Sequence, residues 1–235
     1  MNYMSEAGSH HGYDNSNNQD AVIFKKNKEY CVMVLADGVS ACNKSAEGAR
    51  IVCNAVSEYL LAHGKRLIQM NRKYVAEYLL TYVMFKLNEI ASETQIDVNE
   101  YSSTLAFIFA DRRNGKMLYF SIGDSLIIAV RNSGCSIVAM PCDSRNGCCV
   151  TTTCNASVMA EVGVVDTDNI NSVFICSDGA WHLMYKRNRM YESFKSLLIN
   201  QEYVKLKDVL SSAERYDDCS FISADISDLR RGRRK

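Results

Sequence analysis

The way hydrophobic periodicity changes along the chain constrains its fold more than any other feature. Residues 21–24 and 30–36 are short apolar runs rich in Val, Ile and Phe, separated by the charged segment KKNKE, which predicts an antiparallel strand pair. After the loop ADGVSACNKS, Ala49, Val52, Cys53, Val56 and Leu60 recur at i, i+3, i+4, i+7 and i+11, the spacing of one apolar helical face, with Ser45 as the expected N-cap. From about residue 71 to 93, Val75, Leu79, Val83, Leu87 and Ile90 repeat every three to four residues, so a second long helix should lie antiparallel to the first. The period then shortens. STLAFIFAD, KMLYFSIGD, LIIAVRN and CSIVAMP read as successive strands turning at RRNG and NSG, a β-meander. Residues 142–171 carry no clear period. SVFICSDG is a further strand, followed by helical segments at 180–185, 191–199 and 203–211 and by a last strand, CSFISADI. Runs of strands alternating with groups of helices, rather than strict βα repetition, predict an α+β chain whose sheets pack together with helices outside them.

At 235 residues the chain is long enough for one large domain, and no internal repeat or low-complexity linker divides it. Residues 1–228 are expected to form that domain, and the basic run LRRGRRK at 229–235 a solvated, disordered tail. Hydrophobic residues make up 47% and charged residues 23%, and no apolar run reaches the ~18 residues of a membrane span, so a soluble chain is expected. The first twenty residues lack a basic stretch followed by an apolar one, which argues against a secretory signal and for the cytoplasm. With 27 basic and 27 acidic residues, the generic electrostatic argument for a nucleic-acid or membrane partner falls away. Cys31, Cys53, Cys176 and Cys219 sit in apolar segments and are read as reduced, buried thiols. Cys142, Cys148, Cys149 and Cys154 lack the paired C-x-x-C knuckles of a zinc ribbon and are read as loop residues.

Four aspartates share a context: Asp37, Asp124 and Asp178 each end a predicted strand, and Asp217 immediately precedes one. Three of them touch a glycine, which lets the backbone turn sharply or approach a ligand closely. Asp-Gly alone is an ordinary turn dipeptide. As a set, however, carboxylates gathered from several strand ends repel one another unless cations neutralise them, and oxygen-only donors suit magnesium or manganese better than zinc.

Asn18-Gln19-Asp20-Ala21, Asp37-Gly38, Ser102-Ser103-Thr104, Gly123-Asp124-Ser125, Ser177-Asp178-Gly179 and Asp217-Asp218-Cys219-Ser220 resemble, in order and spacing, the motifs of the metal-dependent type 2C Ser/Thr protein phosphatases. The likeness runs from residue 8 to about 226. Gly8-Ser9-His10-His11 and the stretch Asp37-Gly38-Val39-Ser40-Ala41 are similar to a bacterial subgroup. The resemblance implies a four-layer α/β/β/α sandwich, two antiparallel sheets flanked by helix pairs, with a metal centre at one end. It further implies that Asp37 bridges two divalent cations, manganese or magnesium, that the Gly38 carbonyl serves one, and that Asp178 and Asp217 complete the other. Gln19 and Asp20 would hold metal-bound waters in an outer shell. The implied reaction is hydrolysis of phosphoserine or phosphothreonine in a protein substrate, a kinase target, by a water activated between the two ions.

Three positions depart from the family pattern. The arginine expected to bind the substrate phosphate aligns with Asn15, leaving His11, and after it His10, as candidates for contacting phosphate. The general-acid histidine that some members carry after Asp-Gly is Val39, so leaving-group protonation would fall to His11 or to water. A third ion in bacterial members would use Asp124, Asp178 and an aspartate at the position of His182. Asp218 reads as the start of a strand, and Trp181, Tyr119 and Phe120 read as core residues. The competing reading is a catalytically silent phosphatase-like module that binds a partner protein. Retention of Asp37, Asp178 and Asp217 weighs against it, because without metals such buried like charges are a liability.

Overall fold

The computed structural model describes residues 8–10 as backbone and residues 18–142, 149–187, 189–213 and 217–226 in full. His11, Asn15, Cys148 and the basic run at 229–235 lie outside them. In chain order the elements are β1 (Gly8–His10), β2 (Ala21–Lys26), β3 (Tyr30–Ala36), α1 (Ser45–Leu67), α2 (Arg72–Thr94), a 3-10 turn (Val98–Tyr101), β4 (Leu105–Asp111), β5 (Lys116–Ile122), β6 (Leu126–Arg131), β7 (Gly134–Ala139), α3 (Ala156–Met159), β8 (Glu161–Asp166), β9 (Ser172–Cys176), α4 (Asp178–Met184), β10 (Tyr185–Lys186), β11 (Arg189–Met190), α5 (Glu192–Ile199), α6 (Tyr203–Ser212) and β12 (Cys219–Asp225).

Two five-stranded antiparallel sheets, ordered β2-β3-β4-β5-β8 and β1-β12-β9-β6-β7, stack face to face. Alternation along single strands shows how they are layered. On β3, Cys31, Met33 and Leu35 enter the core between the sheets with Ile127, Ile175 and Ile222, whereas Val32, Val34 and Ala36 pack against Val52, Val56, Leu60, Leu79 and Val83 of α1 and α2. On the other sheet, Ile128, Phe174 and Phe221 turn outward to Met184, Leu198 and Leu206 of α4, α5 and α6. This is the expected α/β/β/α sandwich. Because β3 and β4 are covered on both faces, their sequences are continuous apolar runs instead of alternating ones.

The helix phases agree with the sequence: the stripe Ala49, Val52, Cys53, Val56 and Leu60 is buried. Asn71 caps α2 by accepting the Lys73 N–H at 3.0 Å. Ser45 is not an N-cap. It opens the helix itself, donating to the Cys42 carbonyl and accepting the Gln19 amide, so its hydroxyl joins two loops rather than capping a backbone donor. Cys31, Cys53, Cys176 and Cys219 are buried thiols, and burial pushes the Cys31 thiol up to about 12.

The four strands read as one meander are divided between the sheets. β4 and β5 belong to one and β6 and β7 to the other, so the segment Gly123-Asp124-Ser125 carries the chain across the sandwich. Gly123 holds φ +103, and a β-carbon there would lie 2.6 Å from the Cβ of Thr104. Local sequence does not separate such a crossing from a hairpin turn, since both need a short polar link containing glycine. Part of the aperiodic stretch forms α3 and β8, the latter edging the first sheet beside β5. The sequence does not announce β1, paired with β12, the β10–β11 hairpin or the 3-10 turn Val98–Tyr101.

Gly123→Ala should therefore destabilise the fold, combining left-handed backbone strain of about 1–3 kcal/mol with the clash against Thr104. At roughly 2–4 °C per kcal/mol for a chain of this size, thermal melting should show a loss of several degrees; an unchanged midpoint would mean the crossing can relax.

Candidate active site

Strand register assembles the acidic residues at one end of both sheets. Ala21 pairs with Ala36, so the preceding Asp20 and the following Asp37 adjoin at the open end of the β2–β3 hairpin. Leu126 pairs with Cys176, and continuing that antiparallel register by two residues sets Asp124 beside Asp178. Phe221 pairs with Cys176, and the same continuation brings Asp217 and Asp218 to the start of α4. There the packing tolerates only glycine, since a β-carbon on Gly179 would lie 2.1 Å from the Asp218 carbonyl oxygen.

Neutral hydrogen bonds hold these loops in place. The Asp37 N–H donates to Thr104 Oγ1 at 2.9 Å and the Thr104 N–H to the Asp37 carbonyl at 2.8 Å, while Gly38 bridges Ser103. Ser177 is a hub: its hydroxyl donates to Asp20 Oδ2 at 3.1 Å and accepts the Ser220 N–H at 3.0 Å. The Gln19 backbone N–H donates to Asp218 Oδ2 at 2.7 Å, and its side-chain Nε2 donates to Ser45 Oγ at 2.8 Å. Asp20 Oδ1 is buried with no donor bonded to it among the described residues, and the Asp20 carboxyl lies within hydrogen-bonding reach of the Asp37 carboxyl.

The electrostatics follow from burial first and from crowding second. Burial, then the neighbouring Asp20 and Asp178, holds the Asp37 carboxyl well above the usual carboxylate range. Asp20 is pushed up to about 6, chiefly by burial. Asp178 is likewise pushed up to about 6, by burial and then by Asp124 and Asp217, with His182 pulling the other way. Asp217 is raised by burial despite the Asp218 N–H that it accepts at 2.8 Å. Among the described residues no three acidic, imidazole or thiol side chains come close enough to enclose an ion unaided. What is present is a group of hard oxygen donors, one buried oxygen without a bonded donor, and several carboxyls that raise the cost of one another's ionisation. That donor chemistry fits hard divalent cations whose remaining positions are filled by water and backbone carbonyls.

Of the residues expected at the site, Asp20, Asp37, Asp124, Asp178, Asp217 and His182 share one end of the sheets and act on one another electrostatically. His182 is exposed on α4 with its ring centroid 3.9 Å from that of Trp181. Gln19 and Gly38 adjoin them. Val39 is half-buried, its N–H bound to the Ser102 carbonyl at 3.1 Å. For His10 the backbone pairs with Cys219, so β1 runs toward the end that carries Asp217. Asp218, Ser177 and Thr104 acquire roles that the sequence reading did not give them. Asp218 is a buried acceptor, and the usable signal was its place in the Asp217-Asp218-Cys219-Ser220 run. Trp181 is half-buried, packing against the core between β6, β9, β12 and the helices α4 to α6 as expected, and in addition its Nε1–H bonds the Asp124 carbonyl at 2.8 Å.

The raised carboxyls give a signed expectation for the metal-free protein. Asp20 and Asp178, near 6 when folded against an ordinary 3.8, keep protons between about pH 4 and 6 that the unfolded chain has lost. Stability should therefore fall as pH rises through that window. In chelator, the melting midpoint at pH 4.5 should exceed that at pH 7.5, and manganese should raise the latter by competing for the same oxygens; a midpoint that climbs with pH in chelator would contradict this account.

Residues 7–212 match the family described as Protein phosphatase 2C. Among solved structures the chain superposes on a bacterial serine phosphatase with a TM-score of 0.70 at 17% identity, covering 95% of this chain and 98% of that one. Serine/threonine phosphatase Stp1 from Staphylococcus aureus gives 0.70 at 15% identity, with 95% and 96% covered. RsbX in complex with magnesium gives 0.64 at 12% identity, with 96% and 100% covered. No curated protein sequence matches. Identities this low speak only for the fold, but the family match spans most of the length, and the chain belongs to the protein phosphatase 2C family.

Proposed function

We propose that this protein serine/threonine phosphatase removes phosphate from phosphoserine and phosphothreonine in protein substrates, targets of a kinase, with divalent cations held by Asp37, the Gly38 carbonyl, Asp178 and Asp217. The observation that carries the reading is the convergence of carboxyl groups from separate strand ends whose burial and mutual repulsion are, among the described residues, offset by neutral donors and by His182. Divalent cations held there, manganese or magnesium, would supply positive charge against the phosphoryl oxygens and would lower the pKa of a water so that it could serve as the nucleophile.

The protein's own groups supply position and proton handling. Thr104 and Ser103 fix the Asp37-Gly38 backbone from both sides, so the Asp37 carboxyl is aimed without help from its own flexible loop. Asp20 Oδ2 is held by Ser177, which leaves the buried Oδ1 as an acceptor for a water proton. Gln19, anchored on Ser45, closes the same flank. We assign leaving-group protonation and phosphate contact to His11, with His10 beside it, since Val39 offers no proton. Asp124 and His182 form the side of the site at which a third ion would bind. The domain is taken as residues 1–228 and its location as the cytoplasm; among the described residues no helix is long and apolar enough to cross a membrane.

The experiment is hydrolysis of an aryl phosphate and of a phosphothreonine peptide with manganese, with magnesium and with chelator. Asp37→Ala and Asp178→Ala should each lower kcat/KM by at least about a hundredfold, the scale for losing a preorganised electrostatic contact, and chelator should abolish turnover. A folded protein that binds manganese yet turns over neither substrate would overturn the assignment in favour of a binding module.

A further inference from the structure

We infer that Trp181 is a positioning residue that sets the Asp124–Asp178 side of the site through a single hydrogen bond. The inference rests on the metal-binding reading above. Asp124 and Asp178 reach that side by different routes. Asp178 opens α4, at the end of β9, whereas Asp124 sits in the segment that leaves one sheet for the other. The flanks of that segment are held on either side, by the Cys142 N–H on the Gly123 carbonyl at 3.0 Å and by Ser125 Oγ at 3.4 Å from Thr104 Oγ1, whereas Asp124 between them lies in no strand. The indole Nε1–H of Trp181 donates to the Asp124 carbonyl at 2.8 Å. Trp181 lies three residues after Asp178, one turn along the same short helix, with its backbone N–H on the Ser177 carbonyl at 3.1 Å. One rigid ring therefore joins the helix that carries Asp178 to the backbone that carries Asp124. Indole has one donor and two side-chain torsions, so the bond fixes the spacing of the two backbone segments from which the carboxylates project, at little cost in rotamer freedom.

The same ring lies against His182, with centroids 3.9 Å apart. His182 acts electrostatically on both Asp178 and Asp217, so Trp181 touches the imidazole of this side as well as the backbone of its other carboxylate. A residue placed only to fill the core would not need its N–H. In this structure the ring is only partly buried, and its polar edge is the part that connects two ligand-bearing elements.

Manganese binding to the folded protein, followed by the electron paramagnetic resonance signal of free ion, reads this directly without turnover. Trp181→Phe, and replacement of the indole by its sulphur isostere benzothienylalanine, which keeps the ring and deletes the N–H, should each weaken the loosest manganese site about tenfold, the range found when an outer-shell partner is removed. In an Asp124→Ala background neither change should weaken binding further. Because Trp181 is the sole tryptophan, its fluorescence in the unmutated protein should also be quenched as manganese fills that site. Unchanged affinity in both variants would overturn the inference. So would an equal loss in the Asp124→Ala background, since the indole would then act on the fold at large and not through Asp124. Failure of the unmutated protein to bind manganese at all would instead bring down the metal-binding reading, and this inference with it.

Discussion

The free-energy cost of placing several carboxyl groups at one end of the seam between two sheets organises this molecule. Burial is the largest cause of the upward shift at Asp20, Asp37, Asp178 and Asp217 alike, and mutual repulsion adds to it at each. A lysine or arginine inserted among them would relieve that cost most simply. The described structure uses hydroxyls and backbone amides instead. Such groups orient a carboxylate and stabilise its charge only in part, so the site keeps its demand for external positive charge. The rest of the fold supplies the rigidity needed to bear this, through the inter-sheet core of Met33, Ile108, Ile127, Ile175 and Ile222 and the two helical covers.

That arrangement explains why the fixing groups come from so far away in sequence. Asp218 takes its hydrogen bond from a residue 199 positions earlier, and Ser177 donates to one 157 positions earlier. Strands from the first and last parts of the chain must both be docked before any of these contacts exists. Sites built from such long-range contacts form late and hold their geometry tightly once formed, because shifting one loop means shifting a whole strand register.

The same long-range character decides what could be read in the sequence. The helix pair was legible because a single periodic stripe over 23 residues encodes it locally. The strands were legible from length and β-branched content, even where burial on both faces erased alternation. Their partition between sheets was not, since Gly123-Asp124-Ser125 has the composition of a turn whether it doubles back or crosses over. β1 has no apolar residue to announce it, and β10 and β11 are two residues each. Among site residues, Asp37, Asp124 and Asp178 stood out by lying at strand ends beside glycine, and Asp217 by directly preceding a strand. Asp218, Ser177, Thr104 and Trp181 did not, because their roles are set by what stands opposite them in space. Asp218 looks like the start of a strand until Gln19 is placed against it, and Trp181 looks like core alone until its N–H is given an acceptor.

The departures from the family pattern act in one direction. With Val39 where some members carry a histidine, and Asn15 where an arginine is expected, the two groups that would assist the leaving oxygen and the phosphate are absent from those positions, and the proposed function assigns their work to His11 and to cations. At position 182 an imidazole replaces a carboxylate, which removes a negative charge from the Asp124 side and draws the Asp178 and Asp217 carboxyls toward ionisation when it is protonated. A centre with one carboxylate fewer attracts an ion less strongly on that side, so the geometry of the remaining pair, Asp124 and Asp178, matters more there than it would beside a third acidic ligand. A rigid tether between the two elements is the kind of compensation such a site requires, and it is the one that the indole of Trp181 provides.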